Sequence, residues 1–219
     1  MEYKKKIVGR LAELTGAKSW DEVFCDWVKC SAITIQNSCT IWKGKAWETR
    51  EREFEQTIAP YGEYGKRVFG DALANLALAL EREMLDVLGE IYMESGMGNK
   101  RSGQFFTPFS VSYMMARMAL KDKMNQERIW MHEPACGSGG MIIAAAKVLM
   151  NEGKNYQQKL RVMAQDLDWK AVHMCYVQCS LLGIWAEVAQ GDVLLNPHSF
   201  GTSDQTQVFL TPRKKGVLM

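Results

Sequence analysis

Glu133-Pro134-Ala135-Cys136-Gly137-Ser138-Gly139-Gly140-Met141 is the stretch on which the reading of this chain turns. It stands between an apolar run, Arg128-Ile129-Trp130-Met131-His132, and a run of helical character from Met141 to Met150. Strand, glycine turn and helix, in that order, form a holder for a nucleotide-like ligand. Glycines let the backbone turn tightly and approach a ligand with no Cβ in the way. The first N–H groups of the following helix then point at the ligand's polar end. Many α/β proteins turn this way, so the pattern around the stretch has to supply the rest.

Downstream, strand and helix alternate. The periodicity predicts strands over about 128–133, 160–165 and 186–190, with helices over about 139–151 and 169–182. That order predicts an α/β fold with a parallel sheet and right-handed crossovers. Ligands on such sheets bind beyond the carboxyl ends of the strands, where the glycine turn, Asp166-Leu167-Asp168 and Gly191-Asp192-Val193-Leu194 all fall. Asp166, closing the second strand, can accept hydrogen bonds from a ribose diol, and Asp168 reads as the cap of the next helix. Asp192 can accept from an exocyclic amine such as that of adenine, with Val193 or Leu194 covering the base. Each carboxylate alone could equally be a cap or turn former; in register with the strands they point to an adenosine-containing cofactor. Position 142 is Ile, which breaks the G-x-G-x-x-G spacing of a dinucleotide turn, and no Lys-Ser or Lys-Thr follows as a phosphate-binding loop requires. A cofactor with no phosphate chain, S-adenosylmethionine, fits better.

Upstream, residues 1–100 read as a helical region and 101–219 as the cofactor-binding domain. Ser19 is a plausible N-cap for a helix from Trp20 through Ile35. Trp42, Trp47, Phe54, Tyr61 and Tyr64 form an aromatic-rich region broken at Pro60 and Gly62, read as core packing rather than base stacking. One long helix is expected from Asp71 to Tyr92. Gly96, Gly98 and Gly103 mark the expected boundary. Thr107 then caps, with Pro108 at the first position, a helix from Phe109 to about Leu120.

The 219 residues suffice for a full core, with 47% hydrophobic and 24% charged residues and a formal charge of +2. That balance neither favours nor excludes nucleic acid. The basic runs Lys4-Lys5-Lys6 and Arg213-Lys214-Lys215 read as solvated ends. None of the six cysteines forms a C-x-x-C pair, so no metal is expected, and Cys175 and Cys179, one helical turn apart, read as reduced packing residues. There is no signal-peptide pattern and no apolar run near the length of a membrane span, so the cytoplasm is the expected location.

The pairing of Gln104-Phe105-Phe106-Thr107-Pro108 with Glu133-Pro134-Ala135-Cys136-Gly137-Ser138-Gly139-Gly140-Met141 resembles the modification subunit of type I restriction–modification systems. Those are S-adenosylmethionine-dependent adenine-N6 DNA methyltransferases. The resemblance covers roughly residues 85–195. It implies that Phe106, Thr107 and Pro108 cradle the methionine end of the cofactor and that Glu133, Ala135, Gly137, Ser138 and Gly139 form its loop. It also implies Asp166 as the ribose ligand, Asp192 with Val193 at the adenine, and DNA as partner, with a further protein chain or a second copy.

The family's Asn/Asp-Pro-Pro-Tyr/Phe signature, which holds the target amine and stacks on the flipped base, has no counterpart here. Asn196-Pro197-His198 follows Asp192 too closely for a helix and strand to intervene. Val208-Phe209-Leu210 reads as a short fourth strand, which leaves Thr211 and Pro212 as the only, chemically poor, catalytic candidates. The sheet is thus expected to be short of strands, and cofactor binding is better supported than transfer. Two other readings follow: a non-catalytic cofactor-binding or assembly module, and a small-molecule or protein methyltransferase using Thr211 and His198.

Overall fold

The computed structural model describes residues 2–16, 18–96, 105–199 and 207–216. The expected boundary near residue 100, with Gly98, Gly103 and Gln104, lies outside the described residues.

Five helices precede it: α1 (Glu2–Ala12), α2 (Trp20–Ser38), α3 (Lys45–Ile58), α4 (Gly62–Arg82) and α5 (Val87–Glu94), with a 3-10 turn at Ala59–Tyr61. Ser19 starts α2 through a reciprocal capping box with Glu22. The indole of Trp27, fully buried, donates to the Phe69 carbonyl at 3.1 Å and so pins α2 to α4. Of the aromatic residues expected in the core, Tyr61 packs on Phe69, whereas Trp42 is 87% exposed and Tyr64 48%.

The single helix expected over 71–92 is in fact two. Glu83 is extended after α4, and the Asp86 side chain caps α5 by accepting the Gly89 N–H at 2.9 Å. No glycine or proline between Asp71 and Leu88 announces the break. It comes instead from a short acidic side chain competing for backbone N–H groups, and it turns Leu88 and Ile91 into the core.

Helix α6 (Phe109–Leu120) has the expected span, but its N-cap is Pro108 rather than Thr107. Pro108, with ψ of 136°, stands outside as the N-cap, its carbonyl accepting the Val111 and Ser112 N–H groups, and Thr107 makes no cap bond. Then follow β1 (Ile129–Glu133), α7 (Gly140–Asn151), α8 (Tyr156–Lys159), β2 (Leu160–Asp166), α9 (Trp169–Leu181), β3 (Trp185–Gln190) and β4 (Val208–Leu210). Asp168 caps α9 as expected, accepting from the Lys170 N–H at 2.9 Å.

The sheet order is β1-β2-β3-β4. The first three strands are parallel, with Met131, Val162 and Ala186 in one row and Glu133 beside Ala164. Strand β4 is antiparallel to β3, Phe209 facing Val188, so the sheet is not wholly parallel. The chain leaving β3 is held against the sheet rather than crossing over it: Gln165 accepts the His198 N–H and donates to the Asn196 carbonyl, and His198 meets Glu187. A strand returning from there lies antiparallel.

Alternation along the strands sends Leu160, Val162, Ala164, Ala186 and Val188 toward α7 and α9, all fully buried. The opposite face carries a row of Trp130, Arg161 and Trp185, and no helix covers it among the described residues. The two indoles meet edge-on at 6.2 Å, and the Arg161 guanidinium lies 5.2 Å from the Trp185 ring. One hydrophobic cluster runs from α1 and α2 through α9 to the sheet.

Two glycines separate open from occupied space. A Cβ at Gly70, exposed in α4, meets nothing within 4 Å, while one at Gly89 would overlap Asp86 Oδ2 and Ser138 Oγ. In urea unfolding, Gly70→Ala is expected to stabilise by about 0.5–1 kcal/mol and Gly89→Ala to destabilise by about 2 kcal/mol or more. Equal effects at the two sites would contradict this packing.

Candidate functional site

The site grows from the end of β1. Cys136 N–H donates to the Gln165 carbonyl at 2.9 Å, carrying the β1–β2 pairing past the last strand residue. The chain then turns through Gly137 (φ 52°) and Gly139 (φ 96°), both in the left-handed region that suits glycine. Gly139 N–H closes the turn on the Cys136 carbonyl at 2.8 Å. The turn is packed on both sides. A Cβ at Gly137 would sit 2.9 Å from the Phe106 ring, and one at Gly139 3.2 Å from Cys175 Sγ on α9.

Three carboxylates gather at the carboxyl ends of the strands. Asp166, 8% exposed, accepts the Gly137 N–H on Oδ2 at 2.9 Å and the Asp168 N–H on Oδ1 at 3.0 Å. It therefore ties the glycine turn to the end of β2. A carboxylate offers about four acceptor positions, so two remain. Half-buried Glu133 has its pKa raised by burial, opposed by the Ala135 N–H and reinforced by the charge of Asp166. Asp192 shapes its own turn, accepting the Leu194 N–H on Oδ1 at 2.9 Å, and the neighbouring Gly191 N–H donates to the Asp166 carbonyl at 2.9 Å. Val193 is half-buried beside it. Phe106 tilts against Tyr92 at 5.0 Å, and Thr107 and Pro108 are exposed.

Two expected residues are placed elsewhere. The side chain of Ser138 turns inward, 2% exposed, and its hydroxyl donates to Asp86. Only its backbone is left to line the loop. Thr211 is fully buried; its hydroxyl donates to the Ile184 carbonyl at 2.8 Å and accepts the Ala186 N–H at 3.0 Å. Those partners stand at the start of β3, the sheet edge opposite the glycine turn. The antiparallel run of β4 carries Thr211 and Pro212 there, away from any cofactor at the carboxyl ends. His198 is likewise a partner of buried Glu187, at 3.0 Å.

Sequence reasoning missed Asp86. Its carboxylate, 4% exposed, accepts from Ser138 Oγ, from Gln178 Nε2 at 2.8 Å and from the Gly89 N–H at 2.9 Å. Gln178 also donates to the Ser138 carbonyl at 2.8 Å and accepts the Leu88 N–H at 3.1 Å. One carboxylate thus clamps α5, the glycine turn and α9 together. A glycine in an otherwise glycine-free helical run was the available sign of a close approach. Tyr92, one turn further along α5, receives Lys170 Nζ on its hydroxyl at 3.0 Å and backs Phe106.

Burial raises the Asp86 pKa, against the lowering effect of its hydrogen bonds. The folded protein then takes up this proton more readily than the unfolded chain. The contribution of Asp86 to stability is complete below the unfolded pKa and is lost as pH rises through the folded one. Asp86→Asn keeps the three contacts, so its stability advantage over wild type should shrink as pH falls from neutrality into the carboxylate range. Asp86→Ala, which orphans buried donors, should cost about 2–4 kcal/mol at the lower pH and less at neutrality. Unfolding curves for the three proteins at two pH values check both; a pH-independent Asn–wild-type difference would contradict the buried-charge account.

The described residues hold no cluster of three or more His, Cys, Asp or Glu suited to a metal ion, and no helix is long and apolar enough to cross a membrane. A glycine turn between a parallel strand and a helix, with acidic residues at or just past the ends of the next two strands, forms the cofactor-binding edge of an α/β fold. In a solved structure of a protein assigned as a class I S-adenosylmethionine-dependent methyltransferase from Listeria monocytogenes, the same fold is found at 14% identity, with a TM-score of 0.53 over 89% of this chain and 55% of that one. Residues 84–212, more than half of the chain, match the N-6 DNA methylase family model, and the chain belongs to that family. The match starts at the break before α5, so it takes in Asp86. Two relatives are the type I restriction enzyme MpnII methylase subunit of Mycoplasma pneumoniae, 28% identical over 48% of this chain, and the MjaIX methylase subunit of Methanocaldococcus jannaschii, 27% over 56%. The matched regions cover 19% and 21% of those relatives, so the chain spans about a fifth of their length.

Proposed function

We propose that this chain forms the cofactor-binding part of a restriction–modification DNA methyltransferase acting on the N6 amine of adenine, with S-adenosylmethionine as methyl donor. The observation that carries this reading is the convergence of the glycine turn, Asp166 and Asp192 on one sheet edge, with Gly137 and Gly139 in left-handed conformations that fix the turn there. The residues fit that cofactor. Asp166 keeps acceptor positions for a ribose diol after serving the turn. Asp192 and Val193 stand beyond the next strand for an adenine, and Glu133, Ala135, Gly137 and Gly139 shape the loop. Phe106, Thr107 and Pro108 cover its mouth for the methionine end.

S-adenosylmethionine, when bound, supplies an electrophilic methyl group on a sulfonium sulfur. The part of these residues is to bind and orient it, because such a displacement gains most from alignment. Among the described residues none grips the accepting amine: Thr211 and Pro212 are at the far edge of the sheet, and the sequence has no Asn-Pro-Pro-aromatic segment. Both relatives are named as subunits, which supports a working assembly with other chains on DNA.

Calorimetric titration with S-adenosylmethionine tests the reading. Asp166→Ala is expected to weaken binding about tenfold or more, as loss of hydrogen bonds to a charged group does. Thr211→Val is expected to lower stability and leave the affinity unchanged. Equal affinity of Asp166→Ala and wild type would remove the ribose assignment, and no binding by wild type would remove the cofactor.

A further inference from the structure

A closed circuit of contacts runs behind the mouth of the cofactor edge, and two of its members, Lys170 and Tyr92, have no part in the binding roles above. Asp166 Oδ2 accepts the Gly137 N–H at 2.9 Å, and its Oδ1 accepts the Asp168 N–H at 3.0 Å. Asp168 Oδ2 meets Lys170 Nζ at 3.2 Å, while its Oδ1 caps α9. Lys170 Nζ donates to the Tyr92 hydroxyl at 3.0 Å and lies 4.7 Å from the centre of the same ring. The Tyr92 ring tilts on Phe106 at 5.0 Å. Phe106 closes the circuit on Gly137, where an added Cβ would sit 2.9 Å from its ring.

The members differ in freedom. Tyr92 is 1% exposed and also packs on Phe24 of α2, ring centres 6.5 Å apart. A phenol so deeply buried needs a partner for its hydroxyl, and Lys170 supplies it. Burial works against the Lys170 charge, but the bonds to Tyr92 and Asp168 outweigh it and raise the pKa. The ammonium is therefore charged at neutral pH, and a charge-assisted hydrogen bond is the stronger kind. Phe106, by contrast, is only half-buried, between exposed Phe105 and exposed Thr107. Gly137 offers it backbone alone, so the tilt of its ring is set from the Tyr92 side.

We propose that Lys170 and Tyr92 are positioning residues for the cofactor: by fixing the plane of Phe106 they set the preference for a ligand that carries the amino-acid end of S-adenosylmethionine. This rests on the cofactor reading above, in which Phe106 covers that end. The ribose side lies on the other arm of the circuit, where Asp166 holds Gly137 directly. Cutting the Lys170–Tyr92 link therefore loosens Phe106 while Asp166 keeps its own hydrogen bonds. A wall braced in advance lowers the ordering cost of binding.

Calorimetric titration of the full chain with two ligands tests this. One is S-adenosylmethionine; the other is 5′-methylthioadenosine, which keeps base, ribose and sulfur and lacks the amino-acid end. Displacement of bound S-adenosylmethionine reads the weaker ligand. Lys170→Met removes the ammonium and keeps the stem, and Tyr92→Phe removes the hydroxyl and keeps the ring. Each is expected to weaken S-adenosylmethionine about three- to tenfold, the scale of one hydrogen bond, and to leave methylthioadenosine unchanged. The double variant should be no weaker than either single one, because both cut the same link, and Lys170→Arg should keep most of the affinity. Asp166→Ala should weaken both ligands, which separates the ribose arm. Thermal unfolding identifies variants that fail to fold, and either single variant serves if the other does. A pair with a merely structural role would lower the melting temperature and leave the ratio of the two affinities at its wild-type value; that result overturns the proposal, as do additive losses in the double variant. Wild type that binds neither ligand removes the cofactor reading and this inference with it, whereas an unchanged ratio with wild-type binding intact removes this inference alone.

Discussion

A carboxylate buried without a cation holds this molecule together at its functional end. Asp86 meets only hydrogen-bond donors, namely the Gly89 N–H, Ser138 Oγ and Gln178 Nε2, and none of them is charged. An isolated buried charge is costly, and three well-placed donors offset that cost only if they stay in place. The clamp therefore fixes the start of α5, the glycine turn and the middle of α9 with respect to one another. Asp166 holds the same turn from the strand side through Gly137. With an anchor on either side, the turn is fixed before any ligand arrives, which lowers the ordering cost of binding.

This arrangement makes the helical region part of the site rather than a neighbour of it. A boundary drawn at residue 100 leaves the contacts of Asp86 with Ser138 and of Tyr92 with Phe106 and Lys170 crossing it. Gln36 on α2 likewise accepts from Tyr176 on α9 and from the Leu210 N–H on β4. The sheet has helices on one face only among the described residues, and its other face bears the Trp130–Arg161–Trp185 row.

Much of this was legible in the sequence, for local reasons. The alternation of apolar strands with helical runs sets β1, β2 and β3 within a residue or so, because period and turn residues agree there. The acidic residues closing β2 and β3 are placed by the same register. What was not legible depended on partners distant in the chain. The break before α5 needs Asp86 to find a helix N-terminus and a serine 52 residues away. Ser138 looked like a loop contact, yet its hydroxyl points the other way. Thr211 looked like the end of a parallel strand, and the hold of Gln165 and Glu187 on the preceding segment sends β4 back antiparallel, to the opposite edge. The connection from β3 to β4 is long enough for either direction, which is why that error reached the catalytic assignment.

Native-state hydrogen exchange tests the central claim most directly, by comparing the amides of residues 87–92 with those of 137–143. If the Asp86 clamp makes one cooperative unit of α5 and the glycine turn, both sets open with the same free energy, and Asp86→Ala lowers the protection of both together. Protection of the glycine turn that survives Asp86→Ala while α5 opens would show that the turn is held by the sheet alone, and would contradict the account.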